Sequence, residues 1–188
     1  MLQIIGIVSG LLATIGLVPY LVDIFRGKTK PERASWIIWT VLGAIAFFSQ
    51  LAQGARNSLW MTGFQLFNVA LITLLSLKYG YGSFSKRDVC ALMLAGCGLL
   101  LWKITTNPLL ALIVVVCVDF IGVYLTLIKT LKYPDSETLV AWFLASLSGL
   151  LGLIAVGKLD FGLLVYPFYI FGANTAITWA IWKGRAKK

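Results

Sequence analysis

The sequence predicts an all-α integral membrane protein with seven transmembrane helices, arranged as two parallel three-helix repeats joined by a linker helix. Three observations predict it. Of 188 residues, 60% are hydrophobic and only 12% charged, with a mean hydropathy of +0.91; a soluble domain carries about 25% charged residues, and a disordered chain is more polar still. The apolar residues gather in seven runs, each long enough for a hydrocarbon layer of about 30 Å at about 1.5 Å per helical residue. Finally, the chain resembles itself at an offset of 103 to 105 residues.

The first run extends from Leu2 to about Phe25, with one acid, Asp23, near its end. It lacks the basic leader and short apolar core of a signal peptide, so it reads as the first membrane helix. Six more runs cover 34–53, 58–78, 88–104, 107–130, 137–157 and 160–182. Glycine, proline and charge concentrate in the connections, such as 26–33, 78–88 and 129–137. Helices joined by tight links are required because each backbone polar group in lipid must be satisfied within its own segment.

The basic residues set the orientation. The connections at 26–33, 78–88 and 129–137 and the tail carry thirteen lysines and arginines, against only Arg56, Lys103 and Lys158 on the other side. The positive-inside rule then places the N-terminus outside and the C-terminus in the cytoplasm. The formal charge of +9 is therefore a topology signal spread over short loops, with no dense basic stripe for nucleic acid.

The repeat sets the organisation. Tyr20 matches Tyr124, Pro31-Glu32 matches Pro134-Asp135, and Ser35 and Trp39 match Thr138 and Trp142 at identical spacing. Ile72-Thr73 with Lys78 matches Ile177-Thr178 with Lys183. A proline at the first helical position with an acid beside it would open the second helix of each unit, where the helix dipole favours negative charge. Residues 1–80 form the first unit, 81–106 the linker helix, and 107–188 the second unit with its basic tail. Three crossings plus one return the second unit to the orientation of the first, which makes the repeats parallel.

This 3+1+3 plan, with Val18-Pro19-Tyr20, a basic loop and Lys30-Pro31-Glu32-Arg33-Ala34-Ser35, resembles the SWEET and PQ-loop transporter group over essentially the whole chain. The resemblance implies movement of a small polar solute by alternating access, with facilitated diffusion of sugar favoured. It implies an asparagine on the third helix of each unit lining a central site, here Asn68 and Asn174. Ser49 stands near a pocket position in the second helix. Pro19 matches one of the hinge prolines, Gly122 can supply flexibility in the fifth helix, and the repeat-related Trp39 and Trp142 can form a constriction on the cytoplasmic side.

The residues point the same way. Asn68, Asp119 and Asn174 fall near the middle of their runs, with Thr14, Ser146 and Ser148 at a similar level. Polar groups in hydrocarbon cost several kcal/mol unless paired, so these six should converge on one another or on water. An amide offers donors and an acceptor, suited to hydroxyl-rich or zwitterionic solutes, or it can join two helices. Asp119 is the one acid away from a run end; such a carboxyl faces water, a partner or a proton, which makes it the candidate proton site and opens a proton-coupled amino-acid reading. A nucleoside-like solute also fits the 3+1+3 plan, and a receptor or scaffold is the alternative of another class. Phe48, Tyr169 and Phe171 can supply an aromatic wall.

Other chemistry is poorly served. The chain has no histidine, and one buried acid without an activated nucleophile is poor material for an enzyme. No lysine lies between Asp160 and Trp182 to hold retinal. No cofactor and no metal site are expected, and Cys90, Cys97 and Cys117 read as small core residues. The expected partners are a small solute (sugar, amino acid or nucleoside) and membrane lipid, not nucleic acid; homo-oligomer formation stays open. Compact size and minimal tails favour a bacterial inner membrane.

Overall fold

Seven helices follow one another along the chain: α1 (Leu2–Phe25), α2 (Arg33–Ala52), α3 (Leu59–Tyr79), α4 (Lys86–Thr105), α5 (Pro108–Lys132), α6 (Leu139–Val156) and α7 (Phe161–Arg185). The computed structural model describes residues 1–27, 31, 33–80, 86–132 and 137–186, and no strand occurs among them. Four helices, α1, α3, α6 and α7, are long and apolar enough to cross a membrane, while α2 and α5 contribute the apolar stretches Trp36–Ala52 and Pro108–Phe120.

The two faces of α1 suit a membrane-spanning helix. Ile4, Val8, Leu11, Ile15, Val18, Val22 and Phe25 are all exposed, and their spacing of three and four residues makes one stripe along the helix. A continuous apolar stripe of this length is at home in hydrocarbon. The opposite face buries Gly6, Ser9, Gly10 and Gly16. Small residues let backbones approach closely where lipid removes the usual hydrophobic drive between helices. A Cβ on Gly10 would run into the Phe64 ring of α3, and one on Gly16 would stand 3.1 Å from Leu144 Cβ of α6. So α1 is clasped between α3 and α6.

The helix neighbours close into a ring in the order α1, α3, α2, α5, α7, α6 and back to α1, with α4 outside against α5 and α2. The seam between α1 and α6 is the most extensive. It carries a hydrogen bond in which Ser9 Oγ donates to the Ser148 carbonyl at 2.6 Å. The seam between α2 and α5 is built differently: Ile38, Leu42, Ile45 and Ala46 meet Ala111, Leu112, Val115 and Val118, with Tyr166 and Ile170 of α7 closing the cluster. Ser9→Ala is expected to lower stability by about 0.6–1 kcal/mol, the usual value of an interhelical hydrogen bond in a membrane, measured by unfolding in mixed micelles.

Local chemistry sets the helix ends on the α4–α5 and α6–α7 side. Asn107 Oδ1 accepts from the Leu109 amide at 3.0 Å, and Pro108 opens α5 with the fixed φ that suits a first helical position. Gly157 ends α6 at φ +70°, a left-handed conformation that favours glycine. Asp160 caps α7, its carboxylate accepting from the Leu163 amide at 3.3 Å.

Two expectations are corrected. Cys90, Cys97 and Cys117 are exposed, not core; in lipid an apolar neighbourhood identifies the outer face as well as the inner one. Pro31 is buried but precedes α2, which begins at Arg33, so it leads into the helix without occupying its first position. Glu32, Pro134 and Asp135 lie outside the described residues.

Candidate functional site

Asn68, Asn174, Ser146 and Ser148 are buried in the bundle, and the hydrogen bonds of the polar side chains run seam by seam. Asn68 on α3 is 7% exposed and Asn174 on α7 is 8% exposed. Between α1 and α3, the Thr14 hydroxyl lies 3.2 Å from both Asn68 Oδ1 and the Gly10 carbonyl. Asn174 Nδ2 donates to the Ile170 carbonyl of its own helix at 2.6 Å. On α6, Ser146 and Ser148 point to opposite neighbours: the Ser146 hydroxyl pairs with Thr175 of α7 at 2.5 Å, and Ser148 meets Ser9 of α1. Residues two apart on a helix do not share a face, which accounts for the divergence.

Asp119 sits on α5, partly buried, and accepts from the Tyr169 hydroxyl of α7 at 2.5 Å. The hydrogen bond joins α5 to α7 at this acid, and Trp39 of α2 packs against the neighbouring apolar cluster that includes Val115 and Val118 of α5. Trp39 also stacks edge-on against Trp36, with centroids 5.0 Å apart, and Trp36 in turn contacts Tyr20 at 5.5 Å. Trp142 turns elsewhere: its Nε1 donates to Glu137 at 3.0 Å. The two repeat-related tryptophans thus have different partners. Pro19 lies inside α1 without ending it. Gly122 lies in α5, and its surroundings fall outside the described residues.

Ser49 is fully buried on α2, and its hydroxyl has no hydrogen-bond partner among the described residues. Its neighbour Gln50 accepts from Thr62 at 2.8 Å, but among the described residues the Gln50 amide nitrogen has no partner, nor does the carbonyl oxygen of Gln65 on α3. A buried group left unpaired costs about 1–3 kcal/mol, so the α2–α3 pair holds unused donors and acceptors. Gln50 stands near the end of its apolar run and reads as interfacial, whereas Gln65 lies three residues from Asn68, and its polarity at that depth is the signal that marks it. A second buried proline, Pro167, lies inside α7 one turn from Ile170; its ring denies one backbone hydrogen bond to the preceding turn. It has no counterpart among the matched prolines, so the repeat gave no signal for it.

Two cavities are described. A groove of about 980 Å³ runs between α5, α6 and α7, and Tyr169 forms part of its wall. A recess of about 350 Å³ lies between the α2–α3 and α6–α7 connections. Neither is lined by Asn68, Asn174 or Asp119. Among the described residues no three Asp, Glu or Cys side chains gather as metal ligands would.

At the groove's end, the Lys158 ammonium, 3.1 Å away, and the Leu163 amide hold the Asp160 carboxyl below the usual carboxylate range. A carboxylate with a depressed pKa contributes stability above its unfolded pKa and loses it as pH falls through the folded value. Near neutral pH that contribution is flat, so Asp160 is no source of pH dependence there. Comparisons with protein-family models, curated proteins and solved structures give no match.

Proposed function

We propose that this chain is a seven-crossing membrane transporter that moves a small polar solute by alternating access between two parallel three-helix units, sugar-type facilitated diffusion being favoured. The observation that carries the reading is the helix order. Exchanging α1 with α5, α2 with α6 and α3 with α7 maps the ring of neighbours onto itself, and it also exchanges the lesser contact of α3 with α6 for that of α7 with α2. That permutation agrees with the repeat in the residues and with α4 as an unrepeated linker. Each unit also has its own hydroxyl tie between its second and third helices: Thr40 with Thr73 at 2.8 Å, and Ser146 with Thr175 at 2.5 Å. Two internally tied units are what rocking of one bundle against the other requires.

In this reading Asn68 and Asn174, on equivalent helices and shielded from lipid, are the central solute contacts. The unpaired groups of Ser49, Gln50 and Gln65 extend the polar surface along α2 and α3. Pro19 and Pro167 are the flexible points. In this reading the asymmetry of basic residues orients the chain with its N-terminus outside and its C-terminus in the cytoplasm, in a bacterial inner membrane. The hydrogen bond of Tyr169 to Asp119 favours a second reading, proton-coupled movement of an amino acid, since it sets a titratable group within the span of α5, beside the seam with α2.

A radiolabelled uptake panel in proteoliposomes tests this. Saturable sugar uptake that equilibrates without a gradient supports the first reading. Uphill accumulation of an amino acid under an inward proton gradient selects the second. Absence of flux for sugars, amino acids and nucleosides alike would leave a receptor or scaffold in place of a carrier.

A further inference from the structure

The two cavities meet at one residue. Lys158 lines both the long groove between α5, α6 and α7 and the recess between the α2–α3 and α6–α7 connections. The groove faces outward: Phe120 and Phe168 in its wall are 55% and 64% exposed, whereas α7 turns Leu163, Tyr166, Ile170 and Asn174 to the interior. Its lining along α7 runs from Phe161 to Ala176, about 22 Å at about 1.5 Å per residue. That exceeds one leaflet's half of a hydrocarbon layer of about 30 Å.

The recess is polar where the groove is greasy. Arg56, Asn57 and Ser58 line it with Lys158. Lys158 pairs with Asp160 at 3.1 Å, and Arg56 has no ion pair among the described residues. Two cations and one anion leave a net positive charge at the mouth of an apolar trench. A polar solute has no use for such a trench, and zwitterionic headgroups gain little from the extra charge.

We infer that groove and recess together bind one anionic glycerophospholipid from the leaflet on the α6–α7 connection side, with an acyl chain along α7 and the phosphate between Arg56 and Lys158. A membrane presents this ligand at the right depth, and its two chemistries match the two cavities in their order along the membrane normal. The inference needs membrane insertion but does not depend on transport.

Gly172 supplies a clean test, because a Cβ there meets nothing within 4 Å and a large side chain would fill the trench without disturbing packing. Purified full chain is titrated with phosphatidylglycerol or phosphatidylcholine, and retention is read by native mass spectrometry beside thermal unfolding. Phosphatidylglycerol is expected to bind the unmodified chain about tenfold more tightly. Gly172→Trp should lose both lipids, and the double variant Arg56→Gln, Lys158→Gln should lose only the preference. Asp160→Asn removes the competing anion without changing the cations, so it should keep or sharpen the preference even where the double variant does not fold. Equal retention of both lipids by the unmodified chain, unchanged retention in Gly172→Trp, or lipid-free dimers that cover the groove would each overturn the inference.

Discussion

If the chain carries solute with a proton, Asp119→Asn is expected to remove the pH dependence of flux and leave exchange across the vesicle membrane intact. The amide is nearly isosteric and keeps an oxygen to accept from the Tyr169 hydroxyl, which lies 2.5 Å from the acid. What it loses is the ability to take up a proton, and with it any change of charge where α2, α5 and α7 meet. The ratio of flux between mildly acidic and mildly alkaline external pH should fall by about tenfold, equivalent to about 1.4 kcal/mol of coupling. Tyr169→Phe is the companion variant, since it leaves the carboxyl but removes its donor. Flux that remains as pH-dependent in Asp119→Asn as in the unmodified chain would remove Asp119 from the proton pathway.

Gly149→Val is expected to be strongly damaging, lowering stability by about 3 kcal/mol. A Cβ on Gly149 would stand 2.5 Å from the Phe171 amide nitrogen, 2.8 Å from its Cα and 3.0 Å from the Ile170 carbonyl carbon. These are backbone atoms of α7, which cannot rotate aside. Helices α6 and α7 would have to separate, and one turn away that separation would break the 2.5 Å contact between Ser146 and Thr175. Gly172→Ala on the open face of the same pair should be nearly neutral. Unfolding in mixed micelles reads both; a Gly149→Val chain as stable as its parent would show that the two helices slide past one another freely.

The elements were legible because lipid imposes one requirement, long apolar helices, and hydropathy reports it directly. Boundaries agree to within about three residues for every helix. The facing of side chains was less legible. Hydropathy cannot separate a helix face turned to lipid from one turned to protein, so the three cysteines were placed inside when they lie outside. Glycine and serine on α1 carried that information, since Gly6, Ser9 and Gly10 mark its packed side. The polar residues of the candidate site were visible as anomalies, but their partners were not: Thr175 for Ser146, Ser9 for Ser148 and Tyr169 for Asp119 all depend on which helices become neighbours. That order arises from long-range packing, for which a single chain of letters holds only the indirect trace of a repeat.

The two seams that join the units are unequal, and this has a mechanical consequence. Along α1 and α6, glycines bring the backbones close, and Ser9 fastens them. Along α2 and α5, branched aliphatic side chains meet one another, and in hydrocarbon such surfaces give up little when acyl chains replace them. In the proposed carrier, the first seam would be the spine about which the two halves turn, and the second the side that opens. Asp119, held by Tyr169 of α7 beside that second seam, would be placed as its catch.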